Sequence, residues 1–566
     1  MTSKRYFFSP WCLFVLFFGF VFWKLFEYHC FPDPRVLTQS QRQYWSNIPV
    51  RANRGFIQDS RGNILALSLP VSSFFIDPEH WSPSDAPALK ELIPNSTYEK
   101  ISGPLSGRFV WLMRRADPQV ARKILSLDLK GVYEIKEKKR EYPNGPLMAH
   151  VLGFCDIDDN GQAGLELAWD SILYDPPGYR VLVRQAGGRV PDVGHGRDAY
   201  GSGISRITLT IDVRIQYVVE KYLNETALEH GAKWGAAICM DPGTGALLAM
   251  ASWPFFNPNN REELGNAKAL LNNAVGRAYE PGSTFKPIFM GIALEEGLVR
   301  VSEKFTCPAR LRVADGFVTE ASSQAMGQLT AAEILMKSSN VGMAQIGIRS
   351  RPFDMYRTLL DWGFAKVSDV ELRGTEKGLL ASPEQWRGVI PANISFGQGL
   401  AVTPLQLITA MAPVVNGGRL MSPWLIQEVV ESAGDVIYKG RPQLVREVLT
   451  PETAEWLRAV MRDIVLSGTG RQASSPVTAI AAKTGTAQVA EKGKYVQGRY
   501  VSSFVGFWPY EAPQYLMLLL IGEPTGGKYY GGEIAAPMFK KIVEDMADLE
   551  IFKTDRGRAQ RGRETT

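Results

Sequence analysis

Three short motifs, which follow one another along the chain, carry residue types suited to acyl transfer. The first, Ser283-Thr284-Phe285-Lys286, places a lysine three residues after a serine, so that both side chains would share one helix face. A serine hydroxyl attacks an amide at neutral pH only with a base beside it, and an uncharged lysine amine is a suitable base. Ser283 begins the only Ser-x-x-Lys sequence of the chain, and we predict that it is the nucleophile.

The other two motifs supply the remaining parts of such a site. Ser338-Ser339-Asn340 offers a hydroxyl and a carboxamide, which suit proton relay and substrate positioning. Lys483-Thr484-Gly485 offers a cation beside a small residue that lets a substrate backbone come close. The same motif set is typical of penicillin-binding proteins and class A serine β-lactamases.

The residues around the first two motifs predict their local structure. An apolar run at 285–294 follows Glu280-Pro281-Gly282, which puts Ser283 at a helix N-terminus, where free N–H groups favour developing negative charge. Thr330-Ala331-Ala332-Glu333 is a capping box for a helix that leads into Ser338-Ser339-Asn340. We predict that this motif forms a turn and that a second helix begins directly after it.

Strand-like segments lie at both ends of the region that begins near Ser205, with a long and mostly helical stretch between them. The first group is a strand at 207–211, a helix capped by Asp212, and a β-hairpin over 234–251. The second group comprises three predicted strands: 477–487, which the Lys483 motif would end, 501–508 and 515–521. We therefore predict an α+β domain, an antiparallel sheet with a helical region inserted between its halves.

The amino-terminal segment has the composition of a membrane anchor. Residues 6–23 are 18 positions without a charge, dense in Phe, Leu, Val and Trp. Lys4 and Arg5 precede them, which by the positive-inside tendency places residues 1–5 in the cytoplasm. We predict a single transmembrane helix over 6–26, and an uncleaved one, because no small-x-small cleavage pattern follows. The remaining chain would then lie outside the cytoplasmic membrane.

The rest of the chain divides into three further segments. Residues 45–200 are predicted to form a mostly β, non-catalytic module, in which 54–66 has the pattern of strand, tight turn and strand. Residues 187–203, rich in Gly, Asp and Arg, are predicted to be a hinge or surface loop. The catalytic domain would span 205–551, and 552–566 would be a flexible basic tail.

Composition limits the function classes. At 566 residues the chain is too long for one compact core, and 45% hydrophobic with 21% charged residues is typical of a globular protein. A net charge of +5 is too small at this length to indicate nucleic-acid binding. The five cysteines and five histidines show neither catalytic pairing nor metal-ligand spacing, which argues against a catalytic cysteine and against a zinc site. The resemblance of the motif set to that of penicillin-binding proteins implies no metal and no cofactor.

The chain resembles class B penicillin-binding proteins, which are monofunctional peptidoglycan D,D-transpeptidases, and is most similar to their septal, penicillin-binding protein 3 type. The resemblance extends from the anchor to about Ile551. Beyond the three motifs it rests on these segments: Arg54-Gly55-x-Ile57-x-Asp59, 71–78, Arg140-Glu141-Tyr142-Pro143, 149–154, Phe396-Gly397-Gln398-Gly399, Thr403-Pro404-Leu405-Gln406, 503–507, Gly531-Gly532 and Ala535-Ala536-Pro537. The chain departs from the family pattern at two positions. The family usually has an arginine directly after the aspartate that corresponds to Asp59, but here Ser60 intervenes before Arg61. The family often has an acidic residue where Gly522 stands.

The resemblance implies the fold and the reaction. A serine β-lactamase-like transpeptidase domain would follow a pedestal or dimerisation-like module. Ser283 would attack the penultimate D-alanine carbonyl of a stem pentapeptide, and Lys286 would take its proton. Because an ordinary lysine pKa is about 10.4, this role requires a lower value, which burial and the second cation Lys483 would produce. An amino group of a neighbouring stem would then complete the cross-link, and β-lactams would acylate the same serine.

The resemblance also assigns the other site residues. Ser338 would relay a proton to the leaving amine, and Asn340 would hold the substrate amide. The substrate carboxylate would face Lys483, Thr484, Gly485 and Thr486. The backbone N–H groups of Ser283 and Thr486 would form the oxyanion hole.

The resemblance leaves four alternative functions open and implies a set of partners. A β-lactamase, a D,D-carboxypeptidase, an inactive penicillin-binding sensor and an elongation-type transpeptidase all carry these motifs. The expected partners are peptidoglycan stem peptides, β-lactams, other division proteins and a membrane-embedded glycan polymerase, with no nucleic acid. The protein would be a single-pass protein of the cytoplasmic (inner) membrane, with its catalytic domain in the periplasm or otherwise outside the cytoplasm.

Overall fold

The computed structural model of the chain describes residues 10–30, 45–50, 54–107, 109–174, 178–183, 205–491 and 494–553. The chain forms two compact units, one from residues 1–53 and 175–202 and the other from residues 54–174 and 203–566. Three predicted segments lie wholly or almost wholly outside the described residues: the cytoplasmic N-terminus 1–5, the hinge at 187–203 and the basic tail at 552–566.

The smaller unit contains one helix and one β-ribbon among its described residues. The helix is Pro10–Cys30, and its described side chains are largely exposed. Strand β1, Trp45–Val50, pairs antiparallel with β6, Gly178–Val183. The predicted anchor at 6–26 overlaps the helix, but no helix among the described residues combines the length and the apolar character needed to cross a membrane.

The larger unit contains a seven-stranded sheet whose strands come from both the predicted non-catalytic module and the predicted catalytic domain. Its strands are β2 Phe56–Gln58, β3 Ile64–Ile76, β4 Val110–Met113, β5 Val132–Glu141, β7 Arg206–Leu209, β15 Ile426–Val430 and β16 Val436–Lys439. Their spatial order is β16-β15-β7-β2-β3-β4, with β5 also paired to β3. The predicted strand–turn–strand is confirmed, because β2 and β3 pair antiparallel across a turn in which Asp59 Oδ1 accepts hydrogen bonds from the N–H groups of Arg61 and Asn63.

The second sheet, which we call the catalytic sheet, is antiparallel and five-stranded. Its strands are β8 Trp234–Met240, β9 Leu247–Trp253, β18 Ala481–Glu491, β19 Lys494–Trp508 and β20 Tyr515–Gly522, in the spatial order β18-β19-β20-β8-β9. Strand β18 stands at one end of this order. The predicted hairpin and the predicted insertion of a helical region between the two halves of the sheet are confirmed. The predicted strand at 207–211 was assigned to the wrong sheet, because β7 pairs with β15 and with β2 instead.

The predicted bounds of β18 were wrong. The strand does not end at the Lys483 motif; it begins two residues before it, at Ala481, and continues to Glu491. The carbonyls of Ala479 and Ile480 accept hydrogen bonds from Tyr510 N and from the Arg462 guanidinium instead of joining the ladder. Their apolar side chains made them look like strand in the sequence, although they lie outside it.

Both faces of the catalytic sheet are covered, so its interior strands β20 and β8 are buried along their whole length. Helices Val213–Glu229 and Gly531–Asp548 pack on one face around Phe504, Trp508 and Phe539. The inserted helical region packs on the other face and places Phe285 and Ile288 in that core. A rigid, doubly covered sheet therefore supports β18 at its edge.

The remaining elements connect these layers. The other α-helices are Asn95–Ile101, Pro118–Ser126, Ala149–Leu152, Gly164–Ala168, Asp170–Leu173, Ala267–Leu270, Asn273–Gly276, Lys286–Glu295, Ala331–Met336, Asn340–Gly347, Pro352–Asp361, Ile390–Ile394, Pro404–Asn416 and Pro451–Leu466. The 3-10 helices are Pro83–Leu89, Glu263–Gly265, Gly282–Phe285, Pro383–Gln385 and Arg471–Ala473. Three two-stranded ribbons pair β10 Lys304–Cys307 with β13 Gly327–Thr330, β11 Arg310–Val313 with β12 Gly316–Thr319, and β14 Arg419–Met421 with β17 Leu444–Glu447.

Candidate active site

Ser283 lies in a tight turn that presses against the catalytic sheet. The 3-10 turn Gly282–Phe285 runs directly into the helix Lys286–Glu295, so the predicted helix N-terminus begins as a 3-10 turn. Gly282 has a φ of +57°, and a Cβ at this position would lie 3.1 Å from the Cβ of Ala487 on β18. Glycine therefore lets the nucleophile turn approach the strand that carries the third motif.

Lys286 joins the first motif to the second. Its side chain is fully buried, and Nζ donates to the Ser338 carbonyl at 2.6 Å, to Asn340 Oδ1 at 2.8 Å and to Ser338 Oγ at 3.2 Å. No hydrogen bond among the described residues involves the Ser283 hydroxyl. Catalytic hydrogen bonds often form only with substrate present, so this free hydroxyl is compatible with a nucleophile.

Ser338 connects all three motifs. The predicted capping box at Thr330 is confirmed, and its helix Ala331–Met336 leads into a turn in which Ser338 has a φ of +56°. This left-handed conformation costs energy in a residue other than glycine, and such strain collects at functional sites. Lys483 Nζ donates to Ser338 Oγ at 3.0 Å, so this hydroxyl lies between two lysine amines.

Both lysines have lowered pKa values. Burial lowers the pKa of Lys286 well below its ordinary value, and the neighbouring charge of Lys483 lowers it further, while Glu320 acts in the opposite direction. Burial also lowers the pKa of Lys483, to about 7. An amine that loses its proton this easily is available as a base at neutral pH.

Strand β18 presents the third motif at the sheet edge. Gly485 lies opposite Ser503 on β19, and a Cβ at Gly485 would come within 2.3 Å of Ser503 Oγ and 2.9 Å of Thr284 Cγ2. Only glycine fits here, because the nucleophile turn packs directly on the strand. The hydroxyls on either side are held as well: Thr484 Oγ1 shares a 2.7 Å hydrogen bond with Thr469 Oγ1, and Thr486 Oγ1 accepts one from Gly531 N.

A cavity of about 470 Å³ opens above these residues. Its wall includes five predicted site residues, namely Ser283, Ser338, Thr484, Gly485 and Thr486. The other three, Lys286, Asn340 and Lys483, are not part of that wall. Lys286 and Lys483 both donate hydrogen bonds to Ser338, and Asn340 Oδ1 accepts one from Lys286. The structure therefore brings all eight residues together around one cavity, although they come from three distant parts of the chain.

Two family descriptions match this chain. "Penicillin binding protein transpeptidase domain" matches residues 235–544, and "Penicillin-binding Protein dimerisation domain" matches residues 49–200. The chain belongs to the penicillin-binding protein transpeptidase family. The catalytic sheet, the nucleophile turn and all three motifs lie within the first of these matches.

Individual relatives cover most of this penicillin-binding protein. Stage V sporulation protein D of Bacillus subtilis is 30% identical over 547 residues, which are 94% of this chain and 84% of that protein. Peptidoglycan D,D-transpeptidase FtsI of Escherichia coli K12 is 32% identical over 512 residues, 87% of this chain and 83% of that one. The structure of penicillin binding protein 3 from Mycobacterium tuberculosis complexed with aztreonam covers 90% of this chain and 98% of its own, with a TM-score of 0.69 and 25% identity.

The penicillin-binding protein site contains one carboxylate that the sequence did not reveal. Glu320 is 1% exposed and accepts hydrogen bonds from Asn340 N at 2.8 Å, from Val341 N at 3.3 Å and from the Ser339 hydroxyl. It thereby binds the free N–H groups at the start of helix Asn340–Gly347 and fixes the turn that carries Ser338. No local motif marks it, because it follows a short strand far from the residues it holds.

The structure also refines the position of Asn340. Its Oδ1 accepts from Lys286, and its Nδ2 donates to the Thr319 carbonyl at 3.2 Å. Both ends of the carboxamide are thus engaged within the chain, and the amide orients the Lys286 amine. In the described ranges, no three His, Cys, Asp or Glu side chains are grouped as metal ligands would be.

Proposed function

We propose that this penicillin-binding protein is a peptidoglycan D,D-transpeptidase that works through an acyl-enzyme on Ser283. One observation carries the proposal: the Ser338 hydroxyl lies between the buried amines of Lys286 and Lys483, on the wall of the cavity that contains Ser283. Relatives named peptidoglycan D,D-transpeptidase support the same reaction.

The geometry accounts for the first step. An uncharged Lys286 amine has two N–H groups, which the short contacts to the Ser338 carbonyl and to Asn340 Oδ1 occupy, and one lone pair. That lone pair takes the proton of the Ser283 hydroxyl as its oxygen bonds to the penultimate D-alanine carbonyl carbon. The carbon–nitrogen bond to the terminal D-alanine then breaks. Ser338 gives its proton to the leaving amine and recovers one from Lys286.

The second step reverses these roles. An amino group of another stem peptide attacks the ester carbon, and the bond to the Ser283 oxygen breaks. The surplus proton of the amine returns through Lys286 to that oxygen, so no external acid or base is consumed. Lys483 and the hydroxyls of Thr484 and Thr486 would hold the donor carboxylate in the cavity.

The test measures the reaction of the purified protein with penicillin and with stem peptides. Intact mass after penicillin treatment should show one stable adduct, and peptide mapping should place it on Ser283. With a pentapeptide donor and an amine acceptor, the expected product is the cross-linked peptide. Rapid loss of the penicillin adduct would indicate a β-lactamase. Release of tetrapeptide without a cross-linked product would indicate a carboxypeptidase. Acylation by penicillin with no reaction of the donor peptide would indicate an inactive sensor.

We further propose that the reaction serves the septal wall in cell division. The supporting observations are the sequence segments that resemble the septal type, at 71–78 and 149–154, and the similarity to FtsI. Division proteins and a membrane-embedded glycan polymerase are the partners of this proposal. A fluorescent fusion should gather at midcell; distribution along the lateral wall would indicate the elongation type instead.

The uncharged segment 6–23 supports a proposal about location. Several of its described side chains, among them Trp11, Phe17 and Phe22, are more than half exposed on helix Pro10–Cys30 and would gain from leaving water. We propose that this segment holds the chain at the cytoplasmic membrane, with the catalytic domain outside the cytoplasm. The full chain should sediment with membranes, whereas the chain without residues 1–44 should be soluble and still bind penicillin. Recovery of that shortened chain in the membrane fraction contradicts the proposal.

A further inference from the structure

A second cavity, of about 520 Å³, lies next to the catalytic one and is not used by the mechanism above. We call it the distal cavity. Its wall includes the segment just before the nucleophile, from Arg277 to Glu280, and the part of β18 that follows Thr486, beginning at Ala487. The two cavities therefore lie along the same edge strand, one at positions 484–486 and the other at positions beyond.

Three polar groups in the distal cavity have unused hydrogen-bonding capacity. In the part of the chain that the structure describes, the Tyr279 hydroxyl is buried without a partner, and the side chain is 7% exposed. Glu280 Oε1 accepts from Gly399 N at 2.9 Å, while Oε2 is buried without a hydrogen bond of good geometry, even with the Tyr495 hydroxyl nearby. Buried polar groups in native proteins are normally paired, so these groups are able to bind a polar ligand that enters the cavity.

Arg277 contributes a positive charge to the distal cavity. Its guanidinium stacks over the Trp234 ring at 4.8 Å, and Nε donates to Asn273 Oδ1 at 2.6 Å. Among the described residues, neither of its two Nη atoms has a hydrogen-bond acceptor, so the guanidinium is oriented but not neutralised.

The other charges around the distal cavity are already paired. Glu523 accepts from Arg499 at 2.5 Å and from Lys233 at 2.9 Å, and Arg499 also binds Glu491. The groups that remain for a ligand are the Arg277 guanidinium, the Tyr279 hydroxyl and Glu280 Oε2. They can bind a carboxylate through two parallel N–H donors and one O–H donor, and they can accept one adjacent N–H.

We infer that the distal cavity is a substrate subsite for an amino-acid end, meaning a carboxylate beside an N–H donor. This inference rests on the proposed transpeptidase function. A peptide whose terminal carboxylate lies at positions 484–486 would continue along the exposed edge of β18, advancing about 3.3 Å per residue. The residue that precedes the two D-alanines then lies beside Ala487, and its side chain reaches Arg277. The protein would thus select stem peptides by the charged end of that side chain.

The test compares two synthetic donors that end in D-Ala-D-Ala. The side chain of the preceding residue ends in an α-amino carboxylate in one donor and in the matched α-amino carboxamide in the other. Release of D-alanine is measured for each. The protein should favour the carboxylate donor about 10- to 100-fold in kcat/KM, the range that one charge-assisted bidentate contact provides.

Two variants assign the preference to the cavity. Arg277→Gln should remove it by slowing the carboxylate donor, while the carboxamide donor changes less than about threefold. Tyr279→Phe should weaken it about threefold to tenfold without lowering the melting temperature, because the hydroxyl has no partner to lose in the free protein. Arg419→Gln, at an exposed arginine outside the cavity, is the matched control and should keep the full preference.

The outcomes separate two failures. If the protein releases D-alanine from both donors at equal rates, or if Arg277→Gln slows both equally, the subsite is refuted while the transpeptidase proposal stands. If it releases D-alanine from neither donor although penicillin acylates Ser283, the proposed function itself is overturned, and this inference with it.

Discussion

Two buried charge clusters of the larger unit use the same physical setting for opposite purposes. Around Glu166, unlike charges meet: Arg54 and Arg140 each donate to its carboxylate at 2.6 Å, and all three side chains are at most 5% exposed. Around Ser338, like charges meet, because Lys286 and Lys483 both point at one hydroxyl. The Glu166 cluster keeps its charged groups, whereas the lysines around Ser338 lose their protons more easily than ordinary lysines.

The pKa shifts follow from this difference. Burial acts to raise the pKa of Glu166, but Arg140 and Arg54 lower it, so that the carboxylate stays ionised. For Lys286, burial and the neighbouring Lys483 act in the same direction and lower the pKa. A buried charge with an opposite partner is structural, whereas a buried charge beside a like one becomes a base.

The largest effect should come from removing the Ser283 hydroxyl, which the two lysines around Ser338 activate. Ser283→Ala should abolish labelling by fluorescent penicillin, because the hydroxyl that forms the acyl-enzyme is gone, while the melting temperature stays within a few degrees. Ser96→Ala, at an exposed serine outside the site, should label normally. Labelling of Ser283→Ala at the normal rate would disprove the assignment of the nucleophile.

The unlike-charged cluster should show its effect in stability. Glu166→Gln leaves two buried guanidinium groups with no carboxylate between them, and we expect a loss of about 3 to 5 kcal/mol in the free energy of unfolding. Glu303→Gln breaks the more exposed pair with Arg349 and should cost about 1 kcal/mol or less. Denaturant melts of both variants make the comparison, and equal losses would contradict it.

Glu320 links the two kinds of cluster, since it is a carboxylate that positions the basic one. Glu320→Gln places an NH₂ group against backbone N–H donors and should loosen the turn at Ser338. We expect penicillin acylation to slow about tenfold to a hundredfold, the scale of one displaced catalytic group. Glu262→Gln, at an exposed position, serves as the control. An unchanged acylation rate would show that Glu320 does not position the site.

The smallest effect tests the repulsion between the lysines. In Lys483→Met the like charge is gone, so the pKa of Lys286 should rise, and the uncharged fraction that accepts the Ser283 proton should appear only at higher pH. The rising limb of the acylation rate against pH should therefore move upward by about one unit. Lys268→Met, at an exposed lysine, should leave the limb in place. A downward shift in Lys483→Met would refute the electrostatic account.

The sequence predicted much of the fold because the patterns it used are local. The capping residue Asp212, the capping box at Thr330 and the hairpin at β8–β9 each depend on neighbours a few positions away, and all three are present. The bounds of β18 were missed for a different reason. A buried irregular segment and a buried strand have the same apolar composition, and only the hydrogen-bond partners of Ala479 and Ile480 distinguish them.

The candidate site divides in the same way. The amino-acid sequence alone determined which residues carry the chemistry, since a serine, its lysine and two further motifs are recognisable from type and spacing. The tertiary structure decided which residues hold them: Glu320 behind the turn, Gly282 against Ala487, and Arg277 beside an unpartnered Tyr279. These contacts join residues far apart in the chain, and the distances and burial that set their energies arise only when the chain has folded.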